Sequence, residues 1–287
     1  MSTDAKTLLF GDHVSTDEAH KVLLNDFQKK VQNPKGPTFK TQVIAQNELG
    51  EVLFDEHNEL LLSGGLFLLQ KIANVDTPIT IATLNQDLNI LPQIVKPPEA
   101  GLRREDVLFG FAVGVGGAGD VFDTVKDVKY KERKVEGILP FRKVPTNKDL
   151  STALRGKYFM RRQDASYYEY YVKKFETPPV IHVEFDEPGN PSVPGDVDTQ
   201  PENKIMNTYI QFVLKIDKDD CRQYFQLNGG GLNKARINTL GLVHGYPDNS
   251  LGYSEYRSCR IFSKLNFNNE PLANLSKEIT IIYKIYV

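Results

Sequence analysis

Apolar and polar positions give the chain two textures, with helix and hairpin signals up to about residue 105 and strand signals beyond it. Ser15 with Glu18 forms a capping-box pattern, in which each side chain satisfies the other's exposed N–H. Ala19, Leu23, Phe27 and Val31 follow at every fourth position and predict a helix, which Asn33-Pro34-Lys35-Gly36-Pro37 ends. Thr41–Ala45 and Glu51–Phe54 predict a hairpin around Asn47-Glu48-Leu49-Gly50. Leu60–Ile72 is apolar almost all round, the pattern of a buried helix, and Gly64 and Gly65 let another backbone come close. Pro78–Ile90 has room for a further short helix before Pro92, Pro97 and Pro98 enforce a loop.

Past that loop, Val107–Val115 is a continuous apolar run suited to a strand buried on both faces. Lys157–Arg162 and Tyr167–Lys174 read as paired strands about Gln163-Asp164-Ala165-Ser166, and Val180–Phe185 and Asn207–Ile216 as two more. Asp186–Asn203, rich in Pro, Gly and acids, reads as an exposed loop. Asp217–Phe225 reads as a short helix capped by Asp217. Ala235–His244, Ser258–Phe267 and Lys277–Val287 are strand-length segments. In the last, Ile279, Ile281, Tyr283, Ile285 and Val287 alternate with Thr280, Ile282, Lys284 and Tyr286, which ties it into a sheet with one core face. The expected fold class is α+β, mainly β: an antiparallel, sandwich-like core with peripheral helices. An N-terminal helix or arm over residues 1–40 precedes a β-rich domain over 41–287, with a large insertion at about 120–235.

Charge changes the picture more than composition does. The formal net charge of −2 looks indifferent, yet residues 1–125 carry 10 basic and 17 acidic side chains, and 126–174 carry 14 and 6. Residues 175–220 carry 3 and 10, and 221–287 carry 8 and 4. Such blocks suit polyanions or complementary acidic surfaces. Two cysteines exclude a disulfide scaffold. Met1–Glu18 lacks a basic and an apolar region, so no secretory signal is expected, and no run reaches the roughly 18 apolar residues of a membrane helix.

Candidate chemistry is sparse. Gly114-Val115-Gly116-Gly117-Ala118-Gly119 fits G-x-G-x-x-G after a strand, the fingerprint of dinucleotide binding. Asp120–Lys134, however, lacks the apolar face of a crossover helix, and Asp120 sets a carboxylate where a phosphate would approach. The five histidines are scattered without metal-site spacing. Asp217-Lys218-Asp219-Asp220 begins like a calcium loop, but Arg222 stands where that loop needs glycine. No G-x-S-x-G elbow is present and neither Cys221 nor Cys259 has a catalytic context. No enzyme, cofactor or metal is therefore expected. Tyr167, Tyr168, Tyr170 and Tyr171 with Lys173, Lys174 and Phe175 form an aromatic and basic cluster, which could stack bases and track phosphates or serve a protein interface.

Two groups of segments resemble a known family. One runs from Asn58 through Leu61-Leu62-Ser63-Gly64-Gly65-Leu66 to Phe109-Gly110-Phe111-Ala112-Val113-Gly114-Val115-Gly116-Gly117. The other comprises Arg236-Ile237-Asn238-Thr239-Leu240-Gly241-Leu242-Val243, Arg260-Ile261-Phe262-Ser263-Lys264-Leu265-Asn266-Phe267 and Ile279–Val287. This order resembles virion structural proteins of tailed bacteriophages. The resemblance implies a β-rich particle subunit of neck, tail, baseplate or head decoration, made in the host bacterial cytoplasm, with structural glycines at 114–119. Its partners would be copies of itself in a homo-oligomer and other virion proteins.

Opposed charge blocks suit a subunit that meets its copies head to tail, with salt-sensitive assembly. The candidate assembly-interface residues are then Arg133, Arg142, Arg161, Arg162, Tyr167 and Tyr171 from the basic block, and Asp196 and Asp198 from the acidic loop. The alternative is a nucleic-acid-binding module using residues 126–175, in which the basic block faces DNA.

Overall fold

A computed structural model of the chain describes residues 41–76, 81–90, 102–119, 124–187, 190–194, 205–228, 230–249, 255–272 and 278–286. The expected N-terminal helix, the proline loop, and Asp196 and Asp198 lie outside the described residues.

Two antiparallel sheets pack face to face. The first has the strand order β2-β1-β13-β10-β8-β9, built from β1 (Thr41–Asn47), β2 (Val52–Glu56), β8 (Val180–Glu187), β9 (Asn190–Pro194), β10 (Ile205–Ile216) and β13 (Ile279–Tyr286). The second runs β3-β12-β11-β4-β7-β5, with β6 also paired to β7. Its strands are β3 (Glu59–Leu60), β4 (Val107–Gly114), β5 (Arg142–Pro145), β6 (Tyr158–Gln163), β7 (Tyr167–Lys174), β11 (Arg236–Asp248) and β12 (Glu255–Pro271). The helices are short: α1 (Leu62–Ala73), α2 (Leu84–Asp87), α3 (Thr152–Arg155) and α4 (Arg222–Leu227). This is the mainly β, sandwich-like α+β class the spacing predicts.

The alternation in β13 decides its orientation. Ile279, Ile281, Tyr283 and Ile285 are buried, and β10 sets Ile216, Leu214, Phe212 and Ile210 opposite them. These side chains meet Phe111, Val113, Leu240, Leu242, Phe262, Leu265 and Phe267 of the second sheet in the main core. Across the layers Phe54 stacks on Phe267 at 4.5 Å, and the Ser263 and Tyr283 hydroxyls share a hydrogen bond of 2.5 Å. A second cluster, including Leu61, Leu84, Phe109, Ala112, Phe159, Val172, Val243 and Ile261, covers the outer face of the second sheet. β4 is thus buried on both faces, as its unbroken apolar run requires.

Three expectations change. Helix α1 is buried on one side only, through Ser63, Gly64, Gly65, Phe67 and Gln70, while Leu69 and Ile72 are 61% and 80% exposed. The small residues set the contact: a Cβ on Gly64 would stand 2.0 Å from the Phe262 carbonyl oxygen of β12. The acidic loop begins as a hairpin, since Asp186 and Glu187 end β8 and Asn190–Pro194 pairs back on it. The helix expected from Asp217 starts instead at Arg222, with Cys221 in a left-handed conformation before it and no side-chain cap.

The interior segment 120–235 is woven into both sheets. It supplies β5, β6 and β7 to one, and β8, β9 and β10 to the other.

Candidate functional site

Strand β7 carries the tyrosine and lysine cluster into the protein, where the chain's own charges meet it. On one face Glu169 Oε1 accepts from Lys143 Nζ at 2.8 Å, and its Oε2 accepts from the Tyr171 hydroxyl at 2.6 Å and lies 2.5 Å from Arg162 Nη2. Lys143 lies over the Tyr167 ring at 4.9 Å and Arg162 over Tyr171 at 5.4 Å. On the other face Asp149 accepts from Arg161 Nη1 at 3.0 Å and from the Tyr170 hydroxyl. Arg161 covers Tyr168 at 4.6 Å and Arg155 covers Tyr170 at 4.9 Å. Each of the four tyrosines therefore has a cation of the same chain on its ring, where a stacking base would lie.

A third cluster joins β5, β6 and β7 to the turn before α4. Lys173 Nζ bonds Asp220 Oδ2 at 2.6 Å and Asp217 Oδ2 at 2.8 Å. Tyr158 donates to Asp220 Oδ1 at 2.8 Å and accepts from Arg142 Nη2 at 2.9 Å. Arg142 Nε is 3.2 Å from Asp220 Oδ1. The Asp220 side chain is wholly buried. Burial pushes its carboxyl above the ordinary value, against the pull of Lys173 and Arg142. For Asp217 burial acts in the same sense, but the hydrogen bond and charge of Lys173 outweigh it and hold the carboxyl low. Glu169 is likewise held low, by Lys143, Tyr171 and Arg162 against its own burial.

These contacts place most of the residues expected at an assembly interface. Arg142, Arg161, Arg162, Tyr167 and Tyr171 are engaged within the chain, while Arg133 is exposed. The acids of 217–220 pair with Arg142 and Lys173, and no side chain caps α4. Among the described residues no cluster of His, Cys, Asp or Glu could hold a metal ion. The groove beside α4 is lined by Lys218, Asp219, Arg222, Gln223 and Gln226, with no aliphatic or aromatic residue among them.

The glycine loop is occupied by its own chain. Val115 N–H donates to Gly137 O at 3.1 Å, Gly116 N–H to Glu136 O at 2.9 Å, and Gly117 N–H to Asn238 Oδ1 at 2.7 Å. A Cβ on Gly117 would stand 2.2 Å from Asn238 O, so backbone, not phosphate, fills the space the missing side chain leaves. These amides cannot cradle a pyrophosphate while so engaged.

What sequence reading missed is the sorting of charge in residues 124–136, a strap without regular secondary structure beside that loop. Lys264 of β12 is 1% exposed and pairs with Glu132 Oε2 at 2.6 Å and with Glu136. Both glutamates of the strap thus point inward. Lys126, Lys129, Lys131, Arg133 and Lys134 are exposed. A buried lysine on a distant strand is the signal, and it becomes visible only once that strand is in place.

No known protein family matches the chain, and neither does any curated protein or solved structure. No helix among the described residues is long and apolar enough to cross a membrane.

Proposed function

We propose that the chain is an assembly subunit of a tailed-phage particle, in neck, tail, baseplate or head decoration, which works by contact with copies of itself and other virion proteins. The observation that carries the reading is that most of the segments resembling phage structural proteins, those of α1, β4, β11 and β12 but not the β13 segment of the other sheet, form one contiguous unit whose helix exposes aliphatic side chains. β4, β11 and β12 are neighbours in the second sheet, and α1 lies on β12 through Gly64 and a Ser63 hydroxyl that donates to Ile261 O. The outward side of that helix presents Leu69 and Ile72, followed by exposed Val75. Exposed aliphatic side chains grouped on one element suit a protein contact. The reading invokes no catalysis and no cofactor.

The internal pairing of the basic block favours a mode of contact other than the charge pairing expected from the sequence. Much of the 126–174 block meets acids of its own chain, so association rests on apolar surface and should persist between about 0.05 and 0.5 M salt, where the Debye length shrinks several-fold. Negative-stain imaging of the purified chain tests the reading. Closed rings or regular stacks support it; isolated single chains at every concentration contradict it.

A further inference from the structure

The strap at residues 124–136 has a use that the assembly reading does not require. It is fixed at several points. Lys126 N–H donates to Gly117 O at 2.9 Å, Lys126 Nζ to Gly116 O at 2.8 Å, and Asn266 Nδ2 to Lys126 O at 2.9 Å. Tyr130 O accepts from the Leu62 N–H at 2.9 Å, at the start of α1. Glu132 bonds back to the Lys129 N–H at 3.0 Å as well as to Lys264, and Val135 is buried. The strap is held by its backbone, its glutamates and Lys126, which leaves Lys129, Lys131, Arg133 and Lys134 exposed on a fixed base. Among the described residues Asp127 is its one exposed acid, against five exposed cations.

We propose that this strap is a docking surface for the phosphate backbone of a nucleic acid, bound without regard to sequence. Three observations favour phosphate over an acidic protein. Four of the five cations are lysines, which bind phosphate as point charges but are depleted in protein interfaces. No large aromatic or aliphatic side chain lies fully exposed among them to anchor a protein partner; Val128 and Tyr130 are half-buried and Val125 is 40% exposed. The tyrosines that could have stacked bases are covered by cations of their own chain, so the strap offers charge without base readout.

The test is fluorescence anisotropy of the full chain with a labelled random-sequence duplex, titrated in potassium chloride. The strap predicts binding that weakens about 150-fold to 500-fold between about 50 and 200 mM salt, as release of counterions from four or five phosphates requires. Replacing Lys129, Lys131, Arg133 and Lys134 together by Gln should weaken binding at least tenfold at about 50 mM and lower the salt slope by about 3 to 4. Far-UV circular dichroism should be unchanged. Asp127→Lys should tighten binding. Replacing Lys148, Lys157, Lys218 and Lys234 by Gln, the same loss of charge elsewhere, should leave binding within about twofold.

Absence of binding at about 50 mM salt would overturn the proposal, as would equal losses in the strap and control variants. Displacement of the duplex by polyglutamate as readily as by unlabelled DNA would overturn it in favour of an acidic protein partner. A monomer that binds DNA through the strap would leave this proposal standing and remove the assembly reading.

Discussion

Lys173 shows how much a single buried charge can carry. It holds Asp217 and Asp220 together, and Asp220 has no solvent to turn to. Lys173→Met should lower unfolding free energy by about 1–3 kcal/mol in urea titration, because the buried Oδ2 of Asp220 loses its charged partner while Tyr158 and Arg142 hold only Oδ1. Asp149, Glu169 and Asp217 are each held below their ordinary carboxyl range, their partners outweighing the effect of burial. Such groups bind protons more weakly folded than unfolded, so their stabilisation is complete above the ordinary values and drains as pH falls through the folded ones. Asp220, raised by burial, acts in the opposite sense.

At the alkaline end Tyr158, Tyr170, Tyr171, Tyr209 and Tyr283 are all pushed up, in each case chiefly by burial. They stay protonated while the unfolded chain ionises, so stability is full below about pH 10 and lost above it. The chain has 13 tyrosines and no tryptophan. Tyrosinate absorbance should therefore rise together with loss of circular dichroism, and early, separate ionisation of these five would contradict their burial.

At the scale of elements, strand alternation and glycine contacts set the layers. Ile281→Ala, in the core face of β13, should cost about 2–5 kcal/mol, while Thr280→Ala on its other face should stay within about 0.5 kcal/mol. Gly64→Ala should destabilise by about 1–3 kcal/mol, because its methyl would enter the β12 backbone. The chemical unfolding midpoint reads all three.

The elements with a regular period were legible in the sequence: the β1–β2 and β6–β7 hairpins, the buried β4, and the alternating β13. The length of β11 and β12 was not. β11 runs on through Gly245-Tyr246-Pro247-Asp248, and β12 adds Glu255-Tyr256-Arg257 and Asn268-Asn269-Glu270-Pro271, whose Gly, Pro, Asn and charged residues read locally as turns. The turn at 217–220 was misread for a related reason. Its acids answer to Lys173, 44 and 47 residues away, so capping looked like the nearer explanation. The mostly aliphatic surface of α1 gave no sign of which side would stay uncovered, because both sides read alike.

For the whole molecule, the net charge of −2 is a cancellation with a spatial arrangement. The acids at 217–220 neutralise Arg142 and Lys173, and acids inside the basic block neutralise Lys143, Arg161 and Arg162. The tyrosine cluster is thereby closed, the strap at 124–136 keeps its cations outside, and the outer side of α1 stays apolar. A protein built this way has ionic clusters in its interior, and under the proposed reading it would meet its neighbours through aliphatic contact. The most direct test of that claim is sedimentation velocity of the full chain beside the Leu69→Glu/Ile72→Glu variant, at micromolar concentration and both low and high salt. The account predicts an oligomer for the original chain at either salt, and a folded monomer for the variant. A chain that is monomeric throughout, or a variant that associates as well as the original, would contradict it.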